Sequence, residues 1–511
     1  MTSTAPARDS PPNWAKVVDH SRCIGCHACS TACKSENRVP LAVHRTYVKS
    51  VEIGEFPAAQ RAFQVTRCNQ CERPPCASIC PTSAMYRRGD GIVDFDKAVC
   101  IGCKACIAAC PYDAIFINPD DHAAEKCNFC AHRVDIGLEP ACVVVCPTEA
   151  ILVGDLRNPA SKLGRIVHRD AVSVRRPEKE TRPRLFYKDA KHGTLDPLAA
   201  ARPAGDLFMW CEQTNGNGMR ASGNPTRPNS AAPAVLSYDV PHRAPWGWKV
   251  SLYTVTKGIA AGAYLLPALL ELSGSLVRAN LLFRWIGPLV ASFFLLLTLG
   301  LLVWDLERPA RFWLIFTRPS RQSWVTRGSF ILAGFGVVLG LHLAFVIAGA
   351  DALASGLAWI GAPVAALAAV YTAWLFAQAT ARDLWQSALL PPAFLFQAVY
   401  GGAIGLIPFV HWSFGDRYAK ESFAALAVLS ALQILLVIGE VTLPHPTAHA
   451  RLAVHEMLRG RQSRCLWVGM LLLTLACLAP WIGLPAVLFA LAGLLAYEHA
   501  HVQAAQSVPL A

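Results

Sequence analysis

Charge is what the second half of this 511-residue chain has little of. Of 47 Lys and Arg residues, 31 precede residue 248, and from Lys249 onward the chain is apolar with short polar breaks. That composition excludes a second water-exposed domain and reads as a set of bilayer-crossing helices. Acidic residues are also few, 35 in all, which leaves a net charge of +12. Such an excess can mark a nucleic-acid binder, but no recognition helix or RNA-binding motif accompanies it. Instead the apolar half carries basic loops of the kind that set membrane topology, so no nucleic-acid partner is expected. No secretory signal is visible, which argues against an oxidising compartment and against disulfides.

What is abundant is cysteine. Sixteen of the 19 lie in the first 146 residues, as four quartets. They are Cys23, Cys26, Cys29 and Cys33; Cys68, Cys71, Cys76 and Cys80; Cys100, Cys103, Cys106 and Cys110; Cys127, Cys130, Cys142 and Cys146. The third, CIGCKACIAACP, is the bacterial ferredoxin run. The first has its spacing but Lys34 in place of proline, and the second and fourth lengthen one gap and keep the C-x3-C-P ending. A cubane cluster needs four thiolates. Three come from one tight loop, and the fourth Cys of a run ligates the other cluster of a pair, so crossed pairs are expected. VDHSRCIGCHAC recurs as VDFDKAVCIGCKAC, and CPTSAM, CPYDAI and CPTEAI close the last three quartets, the mark of an internal duplication. Zinc ribbons share the C-x2-C pairs but not the C-x3-C-P ending. Cys211, Cys465 and Cys477 fall outside the quartets and read as structural thiols.

Along the chain, residues 1–12 read as a disordered tail and 13–155 as the cluster domain. Residues 156–246 form an extension and linker: they lack clear periodicity, and RASGNPTRPNSAAPA is linker-like, although LFYKDA and DLFMWCEQ suit packing on the cluster domain or a partner. Residues 247–498 form the membrane bundle and 499–511 a tail. Eight apolar spans are predicted, near 249–271, 283–304, 327–349, 357–378, 391–410, 422–442, 466–481 and 482–498, the last two as a tight hairpin. An even number puts both ends of the bundle on one side. Loops on the N-terminal side (305–327, 379–391, 443–465) carry ten Lys and Arg, and those on the far side (272–284, 350–356, 411–421) carry four. The positive-inside rule then places the cluster domain in the cytoplasm.

Ionisable groups inside such spans are functional candidates. Lys257 and Tyr253 in the first span, Asp305 at the end of the second and Glu440 in the sixth all approach the N-terminal side. A quinone needs hydrogen-bond donors to its carbonyls and a proton route, and these four residues are its candidate site. Lys257 paired inertly with an acid, or Asp305 as a helix cap, are the structural alternatives. His342 and Glu271, toward the far face, read as a satisfied buried histidine and an interfacial glutamate, with an extended proton path as the alternative.

Two resemblances follow. Residues 13–155, through all four quartets and the CxxCxxxxCxxxCP and CxxC-x11-CxxxCP variants, resemble the four-cluster subunit of dimethyl-sulfoxide-reductase-type molybdenum enzymes. Residues 247–498 resemble the polysulfide-reductase (NrfD-like) membrane subunit through TKGIAAGAYL, WDLERPARFWLIFTRPSRQSWVTRGSF and ARLAVHEMLRG. The resemblance implies a wire of four 4Fe–4S clusters, with the first quartet paired to the fourth and the second to the third. It implies a separate molybdopterin-containing catalytic subunit, and menaquinone or ubiquinone held in the membrane half. Some relatives replace a cysteine of the third quartet with tryptophan; here Cys103 is intact. The expected fold is an α+β ferredoxin-like domain of two pseudo-repeats fused to an all-α bundle of eight transmembrane helices. The expected function is an electron-transfer and quinone-reactive subunit in the bacterial inner membrane, serving a catalytic subunit for a formate- or sulfite-type substrate. The alternative is an electron-transfer and proton-translocating module resembling part of alternative complex III.

Overall fold

The strand WAKVVD alternates its side chains between two buried faces, and the first half of the molecule is organised around it. The computed structural model describes residues 11–201, 234–274, 281–414 and 416–511. Cys211, DLFMWCEQ and nearly all of the linker-like run lie outside the described residues, as does the tail through residue 10. The chain divides into two compact units, Met1–Arg243 with Pro509–Ala511, and Ala244–Val508.

In the first unit the strands are β1 (Trp14–Asp19), β2 (Thr46–Ile53), β3 (Gln60–Arg67), β4 (Met85–Arg87), β5 (Val93–Phe95), β6 (Ile115–Ile117), β7 (Ala124–Lys126), β8 (Ile151–Asp155), β9 (Val172–Ser173), β10 (Leu185–Lys188) and β11 (Ala234–Tyr238). They form a four-stranded sheet of order β8-β1-β10-β9, a three-stranded sheet β11-β2-β3, and the hairpins β4-β5 and β6-β7. On β1, Ala15 and Val17 pack with Leu152 and Leu163, while Val18 packs with Cys29, Cys142, Ile151 and Tyr187. Period-2 alternation therefore aims one face of β1, Lys16 included, at cysteines. The sheet does not end at residue 155. LFYKDA supplies β10, which pairs in parallel with β1, and β11 pairs with β2 from within the segment read as linker. Those stretches show no sequence periodicity because they are single strands added to sheets nucleated elsewhere.

The loops carry the duplication. The residue before the second cysteine has positive φ in all four quartets, at Gly25 (67°), Gln70 (47°), Gly102 (70°) and Phe129 (67°). The third residue after the last cysteine does so in the three C-P quartets, at Ser83, Asp113 and Glu149. Short helices Pro75–Ile79 and Ala105–Ala109 stop at Cys80 and Cys110, both extended, because the following proline disfavours the helical conformation. The first quartet has Lys34 there, so its helix, Ala28–Asn37, runs on past Cys33.

The second unit is helical. Among the described residues, seven helices are long and apolar enough to cross a membrane: Trp248–Leu272, Leu282–Trp304, Trp324–Ile347, Asp351–Gln378, Leu390–Ser413, Tyr418–Thr442 and Pro485–Ser507. The expected seventh span is a shorter helix, Ser463–Ala476, continued after a break by Ala479–Ile482. Pro480, without an N–H, accounts for the break, and Gly483 (φ 67°) turns the chain into the last helix. Two expectations need correction. The loop 443–465 contains a helix, Ala448–Leu458. The tail from 499 is helix through Ser507, because Ala500, Val502, Ala504 and Ala505 are buried and its polar residues have partners inside the unit.

The first span is the axis of this unit: 67% of its most apolar window is buried, against 28% for the sixth. It meets the fifth span backbone to backbone. A Cβ at Gly262 would lie 1.7 Å from Ala398 O, and one at Gly402 would lie 2.3 Å from the carbonyl carbon of Gly262. Small residues at such crossings let helices approach closely. We expect Gly262→Leu to destabilise this crossing by about 1–3 kcal/mol or more, read as a lower unfolding temperature in detergent. Gly300→Leu, where a Cβ meets nothing within 4 Å, should leave it unchanged.

Candidate functional site

Three cavities in the first unit are each lined by four cysteines drawn from two quartets. Cys146 closes the cavity of Cys23, Cys26 and Cys29. Cys110 closes that of Cys68, Cys71 and Cys76. Cys80 closes that of Cys100, Cys103 and Cys106. The remaining four also gather: Cys33 faces Cys127, Cys142 and Cys130, and Asn37 Nδ2 reaches both Cys33 Sγ (3.7 Å) and Cys130 Sγ (3.6 Å). In this arrangement three sulfurs come from one loop and the fourth from its paired quartet, first with fourth and second with third. Gly25 is required where it stands, since a Cβ there would lie 2.3 Å from the Phe63 ring.

The donor set suits an iron–sulfur cubane. The three lined cavities measure about 360, 330 and 300 Å³ with their open mouths. Backbone N–H groups point at the sulfurs: Met85 N to Cys80 (3.5 Å), Ala124 N to Cys100 (3.4 Å) and Ala150 N to Cys146 (3.2 Å). Burial pushes most of these thiols up, Cys29 to about 11. It pushes Cys127 and Cys142 up as well, but there Lys16 and Arg67 outweigh it and hold both below the usual thiol range.

A second constellation lies inside the helical unit. A cavity of about 260 Å³ is lined by Lys257, Thr254, Gly258, Phe394, Gln397 and Glu498, among others. Lys257 is 1% exposed. Its Nζ donates to Ala369 O (2.6 Å) and Thr372 Oγ1 (2.7 Å), and it lies 4.8 and 5.1 Å from the ring centroids of Tyr371 and Phe394. Thr254 Oγ1 donates to Glu498 Oε2 at 3.1 Å. Tyr253 is buried nearby, with Tyr371, Thr372, Asp305 and Glu498 as electrostatic neighbours.

The four residues proposed from sequence are thus not one cluster. The acid sharing the cavity with Lys257 is Glu498, not Glu440 or Asp305. Glu440 accepts a hydrogen bond from Tyr497 and lies 3.0 Å from His501 Nε2. Asp305 stands at the C-terminus of its helix and does not line the cavity. His342 is held by Phe283 O (3.1 Å) and Tyr264 (3.4 Å), the local satisfaction expected of it, while Glu271 accepts from Ser355 (2.8 Å) through one oxygen only. Glu498 and His501 escaped the sequence reading because YEHAH at 497–501 looked like the polar end of a span. An ionisable run attached to an apolar helix was the available signal.

Residues 59–156 match the 4Fe-4S dicluster domain family, and residues 237–482 match the family "Polysulphide reductase, NrfD". Over 205 residues the protein is 41% identical to a tetrathionate reductase subunit of Salmonella typhimurium, covering 39% of this sequence and 80% of that one. Over 186 residues it is 41% identical to a polysulfide reductase polypeptide of Wolinella succinogenes, covering 36% and 97%. Over 131 residues it is 48% identical to the thiosulfate reductase electron transfer subunit PhsB of Salmonella typhi, covering 25% and 68%. The protein belongs to this family of iron–sulfur subunits. It is a member fused, in one polypeptide, to an NrfD-type multi-pass membrane module. The cavities of the second and third quartets lie wholly within the stretch that matches the 4Fe-4S dicluster family.

Crossing has a measurable consequence. Cys146→Ser removes a sulfur from the cavity built by the first quartet, not from the one that the fourth quartet's own loop surrounds. We expect the variant to lose about four irons, with the lost centre the one that Cys23→Ser also removes. Iron analysis and low-temperature EPR of the two variants check this.

Proposed function

We propose that the chain passes electrons between a molybdopterin-containing catalytic subunit and a quinone, menaquinone or ubiquinone, through four 4Fe–4S clusters. The observation that carries this reading is the convergence of all sixteen quartet cysteines into four sets of four. When bound, each cluster supplies one-electron transfer. The chain's own residues enclose it, supply four thiolates, and direct N–H groups at the sulfurs. The names of the relatives, reductases of tetrathionate, polysulfide and thiosulfate, support a sulfur-compound substrate on the catalytic subunit; neither sulfite nor formate is among them. Copurification of the full chain with a molybdenum-containing partner tests this; a partner with haem alone would favour the alternative-complex-III-like reading.

For the quinone we propose the cavity of Lys257 and Glu498, with Tyr253 beside it and Asp305 and Glu440 as outlying acids. An ammonium buried in an apolar span persists only when hydrogen-bonded or countered. Lys257 is both, and its remaining hydrogen-bonding capacity suits a quinone carbonyl. Glu498, held by Thr254, is placed to exchange the proton that accompanies quinone chemistry. Lys257→Met should keep its iron and its turnover with a soluble dye, and lose turnover with a quinone analogue by about a hundredfold. Unchanged quinone turnover in a correctly folded variant would move the site elsewhere in the bundle.

The ten-to-four loop bias supports a bacterial inner-membrane protein with its iron–sulfur domain in the cytoplasm. Reporter fusions at 350–356 should be active outside the cytoplasm and fusions at 443–465 inside it. The reverse pattern would turn the molecule over.

A further inference from the structure

Two cations in the first unit are buried against sulfur and not against carboxylate. Arg67 is 1% exposed and Lys16 is 3% exposed. Arg67 ends β3 on the face that carries Phe63 and Val65, and its Nη1 donates to Cys142 Sγ at 3.0 Å. Lys16 lies on the cysteine-facing side of β1. Its Nζ is 3.9 Å from the same sulfur and 4.1 Å from the centroid of the Phe129 ring. Neither cation forms an ion pair with a carboxylate among the described residues, and Nε and Nη2 of Arg67 have no hydrogen-bond partner. A buried guanidinium in this condition is costly unless a negative group lies against it. Here the negative groups are the sulfurs of Cys142, Cys29 and Cys127.

The other cavities differ. At Cys80, Cys100, Cys103 and Cys106 the hydrogen bonds to sulfur come from the backbone, Met85 N and Ala124 N. Lys126 is also buried, with the sulfurs of Cys68 and Cys76 as its foremost charge partners and Asp94 behind them, but its Nζ donates to the carbonyls of Val93 and Cys127 and not to a sulfur. Among the described residues, only the set Cys33, Cys127, Cys130 and Cys142 has two buried side-chain cations directed at one of its ligands.

We propose that Arg67 and Lys16 are redox-tuning residues that make the cluster held by Cys33, Cys127, Cys130 and Cys142 the highest-potential centre of the chain. Reduction adds one electron, and with it one negative charge, to that cluster. A fixed positive charge in contact with a ligand sulfur, in a low-dielectric interior, stabilises the reduced form more than the oxidised one. No proton need move at Arg67, because a guanidinium keeps its charge. The electron rests at this centre between transfers.

This proposal depends on the four-cluster reading, and the test separates the two. The full chain, in its complex, is titrated potentiometrically under anaerobic conditions with EPR detection, alongside iron analysis. Arg67→Met is expected to move the most positive step to more negative potential, to move the step of the neighbouring Cys29 set less, and to leave the rest in place with iron content intact. Arg67→Lys should restore most of the shift. Lys104→Met, a charge change beside Cys103, should leave the most positive step where it was. Should Arg67→Met fail to assemble, Lys16→Met removes the second cation with the guanidinium in place and must shift the same step in the same direction. Fewer than four clusters in the unaltered protein would overturn the four-cluster reading. Four clusters with the top step unmoved in either variant, or with a lower step moved in its place, would overturn the tuning proposal.

Discussion

Each set of four cysteines in the iron–sulfur unit depends on a sulfur that its own loop does not supply. A C-x2-C loop with positive φ before its second cysteine can surround three corners of a cubane. The fourth corner is closed by Cys146, Cys110, Cys80 or Cys33 from the paired quartet. Much of the remaining architecture serves that requirement. The proline after Cys80, Cys110 and Cys146 ends or prevents a helix at the cysteine. On β1, Val18 packs with Cys29 of the first quartet and Cys142 of the fourth. At the first quartet, Lys34 lets the helix continue, and its ammonium closes the following loop on the carbonyls of Pro40 (2.8 Å) and Val43 (2.7 Å).

The same electrostatic problem is solved twice with different materials. In the first unit, buried cations Lys16 and Arg67 face thiolate sulfur. In the helical unit, buried Lys257 faces a carbonyl, a hydroxyl, two aromatic rings and, across a small cavity, a carboxylate. Neither arrangement is explained by packing alone, since an apolar side chain of similar length would be tolerated at either place with less desolvation cost. On the function proposed above, the charge in both cases stands where an electron or proton would be accommodated.

How far the sequence could be read depended on whether the signal was local. The quartets, their spacing and the lengths of the first six spans are properties of short segments, and spacing alone was enough to anticipate crossed pairs. Glu498 was not legible as the companion of Lys257. They are 241 residues apart in sequence (498 − 257), on the first and last spans, and nothing in either segment states that those helices meet. The burial of Arg67 against Cys142, 75 residues away, is likewise a consequence of the fold.

By itself the amino-acid sequence determined the cofactor class and the membrane half, because thiolate spacing and apolar length are set along the chain and survive any arrangement of the parts. Only the tertiary structure decided which charges are buried and what faces them. Desolvation and Coulomb interaction act through space, and a lysine in an apolar run or an arginine at the end of a strand acquires its partner only when distant segments close around it.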